Sequence, residues 1–514
     1  MSVPSQDNRT ARQTPPLYVC CVLLLAAALL AMSPARTAQP AVAVAERLPP
    51  DSRSSSAGNV LLGADGFADP LAIASPPQER GRIRTDRRAY PEPPLPTLPR
   101  GGGKFIDPVF GTEIMRATDE ADGPAPGLGT YYSHWPTFNL DNTKLLVRKG
   151  ETGEAVIKGF DPETFTVKRG SAALPQSLPG GGGPQWESAT WSNLDPNVIY
   201  TFPNYYDGGM KLYSYNVAAR AFKLIKDFRS LSGGPKDYLR QMYVSSDDDV
   251  FCWLQVREGS NSNGPVAYIV YRRSTDTVLY HNPSSAYAGG VNEVHVDKSG
   301  KWLTIHLNQK QPDNTHTLVL NLRTGAVAAL KWDAKDSPPG HGDLGTETIV
   351  GADSFAGGIN KRRLDKPHSP LVILRFEAEQ GKTDWTFGQH GTMYADDESW
   401  ETVGTFNDTS STLPEFHLFD DEILQVATDG SQRIRRICHT RSTIDNKTKT
   451  SGYTAMPKPT ISRDGRFIAF TSNWEKSGRY DLFIARIDPA PPLPAAPTNA
   501  PAPARRERRA RPSR

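Results

Sequence analysis

The chain has 514 residues, 37% of them hydrophobic, and its 59 Lys and Arg against 56 Asp and Glu leave a formal net charge of +3. That near balance argues against a nucleic-acid binder, which needs a basic surface to neutralise phosphates. Four cysteines in a chain of this length, two of them adjacent near the start, exclude a disulfide framework and a Cys-based zinc site.

In chain order, the first segment is a leader. Arg9 and Arg12 precede an apolar run over residues 17–32, and small residues follow. This order predicts a secretory signal peptide over 1–38, with an uncleaved N-terminal anchor as the alternative. Cys20 and Cys21 lie inside it and lack the small-residue context of a lipoprotein cleavage site. The mature chain is then expected in the periplasm or outside the cell, with no membrane span. Residues 39–103, rich in Pro, Ser, Ala and Arg, and residues 489–514, ending in "PAPARRERRARPSR", are predicted to be disordered.

Between them, residues 104–488 read as strands throughout, with β-branched and aromatic runs punctuated by Gly, Asn and Asp. The segment repeats. "HWPTFNLDNTKLLVRKG", "SATWSNLDPNVIYTFPN", "QMYVSSDDDVFCWLQV", "NEVHVDKSGKWLTIHLN" and "KPTISRDGRFIAFTSNW" each give a short strand, a tight polar turn and a longer apolar strand. Weaker copies occur at "GDLGTETIVGAD" and "GTMYADDESWETVGTF". Turn centres fall at Asp141, Asp195, Asp247, Lys298, Glu347, Asp397 and Asp464, roughly 50 to 65 residues apart, and third and fourth strands such as "KLYSYNVA" and "FKLIKDF" follow. The fold class is therefore all-β: a seven-bladed β-propeller with four-stranded antiparallel blades. "FIDPVFGTEIMRATD" is expected to supply an N-terminal strand that closes the ring and protects its edges. Cys252 and Cys438, both with apolar neighbours, suit either a disulfide or two buried free thiols.

The stretch "PTISRDGRFIAFTSNWEKSGRYDLFIARI" resembles the TolB-type, WD40-like propeller repeat. More narrowly, the order "DPVFGTEIMRATD", "YYSHWPTFNLDNTKLLV", "GHGDLG", "QHGTM" and "CHTRST" resembles the secreted seven-bladed propellers related to oligogalacturonate and ulvan lyases. In that family a pocket at the channel mouth holds histidines, in some members around a divalent metal such as manganese, with Arg, Tyr or His for proton abstraction. The resemblance implies a site at His341, Gln389 and His390, with His439, Arg441 and Tyr453 in the loops that follow.

The repeat supports convergence independently. The first strand of each blade lines the channel, so the loops leading into those strands share one face of the disc. His134, His341 and His390 occupy equivalent places before or at that strand in three blades, and His439 is expected in the loop leading to the last. Such a set suits a metal site or an acid/base pair; the ordinary role of each histidine alone is to cap a loop. His295 reads either way, and His281, His306, His316, His368 and His417 are expected on later strands or outer turns. Glu293 and Asp343 can orient a histidine. Trp135, Trp191 and Tyr132 are candidate sugar-stacking residues, and Arg240, Arg362, Arg363 and Arg441 candidate partners for uronate carboxylates.

The resulting expectation is a monomeric exported propeller that binds an acidic oligosaccharide or polysaccharide and cleaves it by β-elimination. His341, His390, His439 and Gln389 would hold the divalent metal, manganese or similar, and His134, Tyr453 and Arg441 would serve catalysis. A non-catalytic TolB-like module that binds an envelope protein or a glycan is the alternative. "LPGGGG" lacks the Lys and Ser/Thr of a phosphate loop, and no Gly-x-Ser-x-Gly elbow is present.

Overall fold

The computed structural model describes residues 83–149, 154–259, 264–287, 289–331, 340–353, 358–376, 387–407, 418–448 and 450–488. The expected leader, the first part of the linker, the C-terminal tail and His417 lie outside the described residues. What is described is seven antiparallel sheets, one per expected repeat. Blade 3 is a regular example, with strands Asp237–Val244, Val250–Arg257, Pro265–Arg272 and Thr277–Pro283 hydrogen-bonded in that order. Its second strand, "VFCWLQVR", is buried over nearly its whole length because both faces pack on neighbouring blades.

Six of the seven expected turn centres lie between the first and second strands of their blades, and Asp141 lies between Phe138, which bridges to Leu145, and the strand Lys144–Lys149. Their polar side chains also join each blade to the next. Asn139 donates to the Pro196 carbonyl at 2.8 Å, the Asn193 N–H to Asp248 at 2.9 Å, and the Ser246 N–H to the Lys298 carbonyl at 2.9 Å. The Glu347 N–H donates to Asp297 at 2.9 Å, the Thr346 N–H to Glu398 at 2.9 Å, Arg463 to Asp396 at 2.8 Å, and Asn142 to Asp464 at 2.8 Å. These contacts cover all seven junctions, so the turns form a closed polar belt on one face of the disc.

The ring closes as the sequence predicts. Blade 7 contains Thr460–Ile461, Phe467–Ser472 and Asp481–Arg486, and its outer edge is completed by Glu113–Arg116, with Lys104–Ile106 beyond. The disorder expected over residues 39–103 does not extend to its end. Residues 83–103 form an extended strap across blades 6 and 7: the carbonyls of Tyr90, Pro93, Pro96 and Pro99 accept from His439, Arg441, Trp474 and Arg116. Proline has no N–H to leave unpaired, so a Pro-rich segment can lie flat on a sheet edge while its carbonyls take donors. Cys252 and Cys438 are both buried and both free, so no disulfide joins them.

Candidate functional site

The inner strands of blades 3, 4 and 5 each slip register by one residue against their second strands. The slips fall between Arg240 and Tyr243, between Val291 and Glu293, and between Gly340 and Asp343. A bulge of this kind adds an unpaired residue and re-aims its neighbours. Gln241 and His341 carry it in left-handed conformations, at φ 56° and 47°. A Cβ on Gly342 would lie 1.9 Å from the Val350 carbonyl oxygen, which is why glycine follows His341. The inner strand of blade 6, which bears His390, pairs without a slip.

These strands bring a wall of imidazoles together. His341 and His390 stack with ring centroids 4.7 Å apart, and Tyr132 meets His390 edge-on at 5.0 Å and stacks on His134 at 4.7 Å. His134 lies 5.1 Å from His295, and His295 lies 5.1 Å from His306 and 3.9 Å from the Tyr243 ring. Two carboxylates serve the wall. Glu293 Oε2 is 2.9 Å from His295 Nε2, and Asp343 Oδ1 is 3.4 Å from His134 Nδ1. Asp343 is also fixed by the Met393 N–H at 2.8 Å.

Burial favours the neutral form of His295, His306, His341 and His390. Burial lowers the pKa of His295 against the pull of Glu293, and burial followed by His295 lowers His306 to about 3. Burial, opposed by the charge of Glu293, lowers His341 as well. Burial works against the charge on Glu293, yet His295, His306 and His134 together hold it below its ordinary value. Burial and then Asp343 push the Glu401 carboxyl well up from its ordinary value.

Of the residues expected from sequence, His134, His341, His390 and Tyr132 meet on this wall, and Tyr453 lies near enough to interact with Tyr132. Arg240 lies on the bulged strand of blade 3, near Glu187. The others go elsewhere. His439 ends the outermost strand of blade 6, where it faces Asp107, Phe110 and the strap, so the loop position expected for it is corrected. Arg441 bonds the strap and Glu475, not the channel. Arg362 is fully buried on the third strand of blade 5, and Arg363 pairs with Asp365. Trp135 and Trp191 are buried packing residues whose indole N–H groups reach the Met242 and Thr137 carbonyls, which excludes them as stacking platforms. Gln389 is buried beside His390 on a strand where successive side chains face opposite ways.

The metal set therefore does not assemble as expected. Only His341 and His390 stand together, and among the described residues no group of three or more His, Cys, Asp or Glu is placed to hold an ion. The histidine pair alone does not fit a closed divalent site.

Sequence reasoning missed His306, expected outside, and did not settle His295. Glu293 and His295, two apart on an inner strand, share one face by strand periodicity, and that was the available signal. His306 is the cross-strand partner of Glu293, a pairing visible only once the register is known.

Comparison with solved structures returns the same architecture. An oligogalacturonate lyase from Vibrio parahaemolyticus superposes with a TM-score of 0.54 at 13% identity, over 76% of this chain and 98% of that one. The fold is shared with oligogalacturonate lyases. A second such lyase, solved in complex with manganese, gives 0.51 at 13% identity over 76% and 97%. TolB from Acinetobacter baumannii aligns at 15% identity over 45% of this chain and 52% of its own, with a TM-score of 0.29, too partial to argue from. No family model matches the chain, and no curated protein sequence matches it.

Proposed function

We propose that this chain is an exported polysaccharide lyase that binds an acidic oligosaccharide in the propeller channel and cleaves it by β-elimination. The observation that carries this reading is the Glu293 and His295 pair on the channel wall, 2.9 Å apart, in a fold shared with oligogalacturonate lyases. β-Elimination removes the proton α to a uronate carboxylate, breaks the bond to the β-oxygen and leaves a carbon–carbon double bond. It needs a neutral base, a cation on the carboxylate and a proton for the departing oxygen.

His295 is the best-placed base. Its Nε2 faces Glu293, which fixes the tautomer with Nε2–H donated to the carboxylate and leaves Nδ1 to accept the proton. Glu293 then stabilises the imidazolium, as an orienting carboxylate does in other His-based sites. His134 is the neighbouring alternative, but its carboxylate is farther, at 3.4 Å, and is shared with the Met393 N–H. Arg240 supplies positive charge from the adjacent inner strand. Burial keeps the Tyr453 phenol protonated, so it suits the donor role towards the departing oxygen.

The test is ultraviolet absorbance of unsaturated product on a panel of uronate polysaccharides, including oligogalacturonate. Product formation supports the reading. Binding without any absorbance gain would assign the chain to the non-catalytic, glycan-binding class instead. Metal content, measured on the same preparation, decides whether a divalent ion such as manganese joins the His341 and His390 pair.

A further inference from the structure

Near the imidazoles, Arg148, Lys458 and Arg240 gather around Glu187. Arg148, from the second strand of blade 1, donates to the Trp186 carbonyl at 2.9 Å and to the Ala189 carbonyl at 2.7 Å. Its remaining nitrogen, Nη1, is buried and has no hydrogen-bond partner among the described residues. Lys458, just before blade 7, is buried with its ammonium 3.2 Å from the centroid of the Tyr453 ring and 2.6 Å from the Tyr453 carbonyl. Arg240 approaches from blade 3, and its Nε is likewise buried without a partner among the described residues. One carboxylate, Glu187, interacts with all three cations.

Burial disfavours the charge on Lys458, pushing it well below the ordinary lysine value, and on Arg148, lowered to about 10, and it raises Glu187, so an anion entering among them would favour the charged form of both basic groups. A buried charge without its counter-charge costs several kcal/mol, so such an arrangement persists where an anion can complete it. The space exists: a cavity of about 30 Å³ is lined by Arg148, Lys458, Tyr131, Tyr453 and Thr130, among others. A water needs about 10–15 Å³ on this measure, so the two oxygens of a carboxylate fit and a sugar ring does not.

We infer that this cavity is a second anion pocket, which takes the carboxylate of the sugar unit next to the one held against the imidazole wall. The inference rests on the acidic-oligosaccharide reading above and deepens it: the ligand must carry carboxylates on neighbouring units, and a single uronate fills only half of the site. Arg148, set by blade 1, offers the free N–H and Lys458, just before blade 7, the ammonium, close enough to His341 and His390 to act on both.

Isothermal titration calorimetry of the full chain tests it, with digalacturonate and its half-ester, in which one carboxyl is methylated, as probes. Digalacturonate should bind about tenfold tighter than the half-ester, and Lys458→Met should abolish that difference while weakening digalacturonate about tenfold. Arg148→Gln should act likewise. If that variant fails to fold by circular dichroism, Lys458→Met alone decides. Wild-type affinity for digalacturonate in Lys458→Met overturns the pocket, whether or not unsaturated product forms. Retained binding preference with no product overturns only the lyase reading.

Discussion

Arg436 is fully buried beneath the strap, and its replacement is the sharpest test of how the outer edge of blade 6 is held. Its guanidinium forms a bidentate pair with Glu422, and both side chains are 0% exposed. It lies 4.7, 5.2 and 5.3 Å from the ring centroids of Tyr90, Phe110 and Phe419 and donates to the Arg88 carbonyl. Arg436→Met keeps much of the volume but strands the Glu422 carboxylate, which burial already disfavours. Breaking a buried pair from one side costs about 3–5 kcal/mol. An unfolding entropy of about 2.1 cal/mol/K per residue over a domain of roughly 400 residues gives about 0.8 kcal/mol/K, so Tm should fall by roughly 4–6 °C. Scanning fluorimetry measures this directly. Arg436→Met with Glu422→Met should recover most of the loss, because two apolar side chains of similar volume need no partner. A single-variant shift below about 1 °C, or a double variant no better than the single, would refute the reasoning.

Three further outcomes are expected. His295→Ala should lower the elimination rate by roughly 10²- to 10⁴-fold, and Glu293→Gln by about 10- to 100-fold with KM little changed; equal rates in initial-velocity assays would contradict the base assignment. Burial opposes the charge on both members of the Asp107 and His439 pair, yet each favours the other's charged form, so Asp107 is lowered and His439 raised. The Asp107 contribution is lost as pH falls below its ordinary range and the His439 contribution as pH rises through its raised folded value, so the Tm gap between wild type and Asp107→Asn should be widest between about pH 4 and 6.5. Cys252 and Cys438 should react with a thiol reagent only after unfolding, and reductant should leave Tm unchanged; a reductant-sensitive Tm would mean that the two thiols are bonded.

The blade count was legible because each turn centre, from Asp141 to Asp464, performs a local task that sequence displays. Asp195, for instance, accepts from the Asn197 N–H and so supports the reversal after the inner strand. The site was legible only in part. His134, His341 and His390 were found because they lie in or just ahead of the innermost segments of their blades, whereas His439 was misplaced because its strand, "IRRICH", runs to the histidine itself and carries it to the outer edge. The bulges were not readable: a one-residue slip depends on the partner strand, and only the glycines around His341 hinted at one. The strap was missed because its order comes from carbonyls facing donors far along the chain, such as Trp474 and Arg441, and composition does not record that.

The closure of blade 7 governs how the chain can fold. The strand Glu113–Arg116, near the start of the propeller, finds its neighbour in Asp481–Arg486, the last strand of all. Until that last segment has emerged, the early strand is paired only with Lys104–Ile106 and its other edge stays open. Final assembly is thus a late, long-range event, slow by topology, and a product truncated before residue 481 keeps two open strand edges at which other chains can pair. Completeness of the chain, more than any local contact, is what separates a soluble ring from an aggregating one.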